Sequence, residues 1–265
     1  INFKNVLQID PKDIKGREGI AKTLEKLQDW RGAVAQYRTI VEEDPENANA
    51  KVKLGQLYLL AKAADLAMTL AEEVLAVNGT HDGGLALKAA AQVQQGKLDA
   101  ALSNAEQAYK INNKSIDNIV LLASIYSGVS RQDSAIELLE RELKSHPESN
   151  SIYTLLSQLY IATNRIALAE QSLKKLVDLN PSNISYKSQL ARFYEASGKK
   201  DEAEMVLVSA VKQNPSRVDS VSALHVFYLQ RQDWVKAESV LQDAIKATPD
   251  DNEFRFRLAG YYLLQ

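Results

Sequence analysis

The chain has 265 residues, and 32 basic side chains nearly balance 34 acidic ones, for a net charge of −2. This balance argues against binding to nucleic acid, because proteins that bind its phosphate backbone cluster lysine and arginine. The chain contains no cysteine, which excludes disulfides and thiolate sites, and no apolar run approaches the 18 residues that would predict direct membrane insertion.

The chain begins with a predicted second helix at residues 1–13, which lacks a preceding first helix. Seven full repeats of 34 residues follow, and residues 252–265 then resemble a first helix once more. The seven repeats are 14–47, 48–81, 82–115, 116–149, 150–183, 184–217 and 218–251. Because both ends are half repeats, we expect a fragment of a longer chain whose uncapped apolar ends, including Tyr261 and Tyr262, favour self-association.

The repeat 184–217 shows the pattern most clearly. Leu190, Ala191 and Tyr194 form an apolar stripe with helical spacing, and Gly198 is predicted to end that helix. A second stripe follows and ends before Pro215, which cannot continue a helix. The repeat is therefore predicted to be two helices joined by a short turn.

One position of the predicted second helix is alanine in all seven repeats. These residues are Ala33, Ala67, Ala101, Ala135, Ala169, Ala203 and Ala237. The position expected to face them is small as well, except at His225: Ala21, Gly55, Ala89, Ala123, Ser157, Ala191 and His225. Small residues on both sides indicate close packing of the two helices, where a larger side chain would cost about 1–3 kcal/mol.

This register resembles the tetratricopeptide repeat, whose period is 34 residues. The resemblance covers the whole chain and implies an all-α, right-handed α-solenoid in one superhelical domain. It also implies a concave groove, lined by first helices, that binds a peptide or a partner-protein segment without catalysis. The carboxylate clamp of some relatives is absent, since Gly83 and Leu87 stand where the third repeat would need basic residues.

The repeat 82–115 departs furthest from the others. Lys88 and Gln92 occupy positions that are apolar or tyrosine in most repeats, and neither junction contains the proline found at the others. We therefore expect this repeat to be the least stable of the array and to act as a hinge.

No catalytic, metal or cofactor site is predicted. His81, His146 and His225 are far apart in sequence and form no metal-binding motif. Trp30 and Trp234, at the start of second helices, are expected to pack over the turn inside their repeats. Three glycosylation-like triplets, including that at Asn78, are better explained by the preference of turns for Asn and Ser.

The candidate site is a strip on the first helices, opposite their core face. This strip is largely uncharged and partly apolar on a surface expected to be solvated, which favours a partner-binding groove. The alternative interpretation is that tight curvature of the solenoid brings adjacent first helices together and selects small residues, without any ligand. The candidate residues are Asn49, Val52, Gln56, Leu59, Ala86, Ala90, Val93, Val120, Ser124, Thr154, Gln158 and Ile161.

The sequence thus predicts a protein-interaction scaffold. The uninterrupted register resembles multi-repeat proteins of bacterial envelopes, including those of exopolysaccharide export, so a periplasmic or envelope location is favoured over a cytoplasmic one. A cytoplasmic regulatory or assembly adaptor, and an accessory domain of a larger enzyme, are the alternatives.

Overall fold

The structure is a computed structural model that describes residues 13–264, without the side chain of Leu264. Apart from Asp13, the predicted helix of residues 1–13 lies outside the described residues. The described part of the chain consists of α-helices and short turns. It confirms the predicted all-α solenoid of helix–turn–helix repeats.

Fifteen helices follow one another in the described residues, two for each full repeat and one at the end. They are α1 (Ile14–Lys26), α2 (Trp30–Glu43), α3 (Ala48–Leu60), α4 (Ala64–Val77), α5 (Asp82–Gln94), α6 (Leu98–Ile111), α7 (Ile116–Gly128), α8 (Gln132–Leu143), α9 (Asn150–Ala162), α10 (Ile166–Leu179), α11 (Ile184–Ala196), α12 (Lys200–Gln213), α13 (Val218–Gln230), α14 (Trp234–Ala247) and α15 (Glu253–Leu264). The predicted helix ends at Gly198 and Pro215 are confirmed.

The chain separates into two compact bodies, and the division falls inside α9. The N-terminal body ends at Ile152 and the C-terminal body begins at Tyr153. Each body is described by itself below.

The invariant alanines are fully buried in both bodies. All seven have no exposed surface, and the facing positions Ala21, Ala89 and Ala123 are equally buried. At the exception, His225, Nδ1 lies 2.9 Å from the carbonyl oxygen of Ala237. The predicted pairing of these two positions is therefore confirmed there.

Packing between neighbouring repeats uses first-helix positions that the sequence analysis left out. With positions counted from the first residue of each repeat, position 10 is buried in α3, α5, α7, α9, α11 and α13. Gly55 also packs across repeats, since a β-carbon there would lie 2.3 Å from Cδ2 of Leu87. The core of each first helix is therefore wider than its apolar stripe predicts.

Every turn inside a full repeat has a left-handed residue at position 15. Two of these residues are glycines, Gly96 and Gly198, each with φ of 75°. The other five are Gln28, Lys62, Ser130, Asn164 and Gln232, with φ between 58° and 62°. The turn therefore keeps one geometry whether or not the sequence supplies glycine.

The polar junctions of repeat 82–115 are tied by hydrogen bonds. Nδ1 of His81 accepts from the N–H of Gly84 at 3.1 Å and caps α5. Asp82 accepts from Nδ2 of Asn112 at 2.8 Å and of Asn118 at 3.2 Å. Burial alone would raise the pKa of Asp82, but these hydrogen bonds hold it below its usual value. The hinge was predicted because both junctions of this repeat lack proline. These hydrogen bonds hold the junctions without proline, and the hinge itself stays a prediction.

Tyrosine–carboxylate contacts join neighbouring repeats in the C-terminal body. The hydroxyl of Tyr194 donates to Oε1 of Glu170 at 3.2 Å, and that of Tyr228 donates to Oε1 of Glu204 at 2.8 Å. Lysine completes both contacts: Lys199 Nζ lies 2.6 Å from Glu170 Oε2, and Lys236 Nζ lies 2.8 Å from Glu204 Oε1. The apolar stripe of the sequence predicts only a core position for Tyr194, not this polar contact.

The last described helix corrects one expectation about the end of the chain. Tyr261 was expected at an exposed end, but it is only 5% exposed, and its hydroxyl donates to the carbonyl oxygen of Trp234 at 3.0 Å. Tyr262, Phe256 and Leu263 are exposed. The predicted self-association is untested.

Candidate functional site

A pocket in the N-terminal body opens where three consecutive first helices meet. Its volume is about 390 Å³, within the range typical of ligand-binding clefts. α3, α5 and α7 supply most of the wall, and the start of α6 closes one side. The lining residues are Leu59, Leu60, Lys62, Ala90, Val93, Gln94, Leu98, Leu121, Ser124, Ile125 and Gly128.

The wall of this pocket is mainly aliphatic and partly accessible to solvent. Leu60 is 65% exposed and Val93 is 37% exposed, whereas Ile125 is buried. The side chain of Gln94 is held at the edge, because its Nε2 donates to the carbonyl oxygen of Leu59 at 2.8 Å. The pocket therefore presents apolar surface at a position fixed by an inter-repeat hydrogen bond.

Lys62 is the one ionisable residue among those lining the pocket. It occupies the left-handed position of the turn between α3 and α4, where its φ is 60°. The turn is held by a hydrogen bond from the N–H of Ala63 to the carbonyl oxygen of Tyr58 at 2.8 Å. The backbone of the turn therefore fixes the position from which the Lys62 side chain extends.

Four of the twelve predicted site residues line this pocket: Leu59, Ala90, Val93 and Ser124. Thr154, Gln158 and Ile161 lie in the C-terminal body and take no part in it. The remaining predicted residues lie on the N-terminal body outside the pocket: Asn49, Val52, Gln56, Ala86 and Val120.

Val52 differs from the solvated side chain that its position predicts. It is only 9% exposed, and a β-carbon built at Gly83 would lie 3.5 Å from its Cγ1. The start of α5 therefore packs within ordinary contact distance of Val52. At Val52 the side chain is therefore packed between first helices, as the alternative interpretation expects; the partner-binding groove stays a prediction.

Sequence reasoning missed the residues at the turn end of the pocket. Leu60, Lys62 and Leu98 lie at positions 13, 15 and 17 of their repeats, outside the predicted strip. The available signal was a leucine at the exposed end of one first helix, Leu60, and a leucine at the start of the second helix of the following repeat, Leu98.

The C-terminal body has a larger pocket in the same repeat register. It measures about 1090 Å³ and is lined by His225, Leu229, Trp234, Arg257, Gly260, Tyr261 and Leu263. Leu229, Trp234 and Gly260 correspond to Val93, Leu98 and Ser124, four repeats earlier. Trp234 lines this pocket with 49% of its surface exposed, and Trp30 is 45% exposed. About half of each tryptophan is therefore covered, and its predicted packing over the turn stays a prediction.

The described residues contain no group of three or more His, Asp or Glu side chains placed to hold a metal ion. Over the same residues, no helix is long and apolar enough to cross a membrane. The two pockets offer mainly apolar contact, with Lys62 at the first and His225 and Arg257 at the second.

Sequence comparison identifies the family. One tetratricopeptide repeat model matches residues 19–82 and 120–184, and a second matches residues 220–255. Together these ranges cover more than half of the chain, which therefore belongs to the tetratricopeptide repeat family. Proteins of this family generally act as protein-interaction scaffolds. No curated protein sequence matches the chain significantly.

Solved structures of low sequence identity share the fold. A thermophilic tetratricopeptide repeat protein of Thermus thermophilus is 18% identical with a TM-score of 0.63, over 68% of this chain and 98% of its own. The human IFIT1 dimer with m7Gppp-AAAA is 19% identical with a TM-score of 0.71, over 99% of this chain and 66% of its own.

The Cut9-Hcn1 hetero-tetramer of the APC/C is 15% identical with a TM-score of 0.61. Its match covers 98% of this chain, but this chain spans only about half of that one. At these identities the likeness concerns the fold, so what these proteins bind is not assigned to this chain.

Proposed function

We propose that this chain is a non-enzymatic scaffold whose N-terminal pocket anchors an apolar side chain of a partner-protein segment. The observation that carries this proposal is the aliphatic pocket of about 390 Å³ between α3, α5 and α7. Contiguous apolar surface in a concave, solvent-accessible site is typical of interaction sites. Leu60, one of the aliphatic residues that line the pocket, is 65% exposed and is therefore available for contact with a partner.

The charge at the pocket favours a partner with an acidic residue beside its apolar anchor. Lys62 contributes a positive charge, and within the described residues its ammonium forms no ion pair with a carboxylate. A partner carboxylate near Lys62 would gain a charge-assisted contact without displacing an existing one. The proposed ligand is therefore a helical or extended segment with a bulky aliphatic residue and a neighbouring Asp or Glu.

Affinity capture with a matched pair of variants tests the proposal. Leu60→Asp places a charge in the pocket, whereas Leu66→Asp places the same charge on α4 at a residue that does not line it. Both leucines are more than half exposed, so we expect similar thermal stability for both variants. The partner identified with the unmodified chain should be lost with Leu60→Asp and retained with Leu66→Asp.

Retention of the partner by folded Leu60→Asp would contradict the proposed pocket. Loss with both variants would indicate an effect of charge or stability rather than of the site. If the pocket is correct but the partner is not acidic, Lys62→Glu will leave capture unchanged while Leu60→Asp abolishes it. The two parts of the proposal therefore fail in different ways.

We also propose that the scaffold works in a bacterial envelope assembly, such as one for polysaccharide export. The support for this location is the resemblance of its uninterrupted register to envelope proteins of the same family. Fractionation of cells that contain the natural full-length protein tests it: an envelope fraction is expected, and a purely cytoplasmic one would favour the alternative, a cytoplasmic adaptor.

A further inference from the structure

The junction between α4 and α5 contains the one Asn–Gly pair of the sequence, Asn78–Gly79. Both residues are exposed. The backbone N–H of Gly79 donates none of the hydrogen bonds found among the described residues. A β-carbon at Gly79 would meet only the carbonyl oxygen of Leu75, at 3.8 Å, so the side-chain face of Gly79 is uncrowded.

The side-chain amide of Asn78 is held in a polarising contact. Its Oδ1 accepts hydrogen bonds from the backbone N–H of Thr80 at 3.1 Å and from the Thr80 hydroxyl at 3.0 Å. Two donors on one carbonyl oxygen withdraw electrons from the amide carbon Cγ. They would also stabilise negative charge on that oxygen if a nucleophile added to Cγ.

We propose that Asn78 is a site of spontaneous deamidation, independent of whether the pocket binds a partner. The Gly79 nitrogen loses its proton to solvent base and bonds to Cγ of Asn78. The bond from Cγ to Nδ2 then breaks, and Nδ2 leaves as ammonia. Water opens the resulting five-membered imide at either carbonyl, which yields aspartate or isoaspartate; overall, one water is consumed and one ammonia is released.

The modification would change the junction that leads into repeat 82–115. It adds one negative charge at the C-terminal end of α4, where the helix dipole already disfavours an anion. Isoaspartate also adds a methylene to the backbone. The carbonyl oxygen of Asn78 accepts from the N–H of His81 at 3.0 Å, and His81 caps α5. We therefore expect the product to loosen the first turn of α5.

Peptide mapping of the folded chain after prolonged incubation at mildly alkaline pH tests the proposal. The peptide with Asn78 should gain the mass difference between an amide and an acid and split into aspartate and isoaspartate forms. Gly79→Ala should slow this conversion by roughly tenfold or more, because a β-carbon hinders the approach of the nitrogen and restricts the backbone. Asn78→Asp supplies one product directly for comparison of hydrogen exchange in α5.

The chain provides an internal control in the same digest. Asn112 occupies the register position of Asn78 one repeat later, but Asn113 follows it instead of glycine. The proposal is overturned if Asn78 converts no faster than Asn112, or if Gly79→Ala converts as fast as the unmodified chain. Faster exchange of the first turn of α5 in Asn78→Asp and in the aged protein would support the effect on the junction; unchanged exchange in both would refute that effect.

Discussion

Position 15 is where the backbone of each full repeat turns between its two helices. The left-handed conformation costs an ordinary residue roughly 1–2 kcal/mol, and glycine avoids that cost. Five of the seven repeats nevertheless use Gln, Lys, Ser or Asn there. The packing of the helices on either side must therefore hold these residues in the turn.

The first prediction follows from this strain. Gln232→Gly should raise the free energy of unfolding by about 0.5–1 kcal/mol, because glycine has no β-carbon in the left-handed conformation. Gly198→Ala should lower it by about 1 kcal/mol for the same reason. Urea unfolding of both variants, which lie in the same body, measures the two effects. A destabilised Gln232→Gly together with an unaffected Gly198→Ala would show that the turn carries no such strain.

At the scale of elements, the tyrosine–carboxylate contacts tie successive helices of the C-terminal body. Glu170 accepts hydrogen bonds from Lys199 and Tyr194, and it pairs with Lys174 at 2.7 Å. The hydrogen bonds from Lys174 and Lys199 lower the pKa of Glu170 from 4.5 to about 2. Its side chain is 18% exposed, so water screens these contacts only in part.

The second prediction concerns pH. Because the folded pKa of Glu170 lies below its unfolded value, the stabilisation is complete above about pH 4.5 and is lost as pH falls towards 2. Glu170→Gln should therefore cost on the order of 1–2 kcal/mol at neutral pH and almost nothing near pH 2. Denaturant unfolding across this range checks it, with Asp178→Asn, an exposed carboxylate on the same helix, as the control. A pH-independent difference between Glu170→Gln and the unmodified chain would contradict this role.

At the scale of the whole molecule, periodicity predicts the helices well because each must bury one stripe against its neighbours. The alanine column and the stops at Gly198 and Pro215 follow from local chemistry, and the structure confirms them. The Glu170 contacts and the packing of Leu87 on Gly55 were not predicted, because they depend on how one repeat meets the next. The site was predicted only in part for the same reason: Val93 and Ser124 line the pocket, whereas Val52 is buried by the approach of α5.

The central claim is that the N-terminal pocket, rather than the groove surface in general, receives the partner. Ser124→Trp tests this claim by filling the pocket from an exposed position on α7, and Ser103→Trp places the same bulk at an exposed residue of α6 that does not line it. The measurement is the dissociation constant of each folded variant for the captured partner segment. We expect Ser124→Trp to weaken binding at least about tenfold, a loss of ~1.4 kcal/mol, and Ser103→Trp to leave it unchanged. Equal affinity of Ser124→Trp and the unmodified chain would show that the partner binds elsewhere.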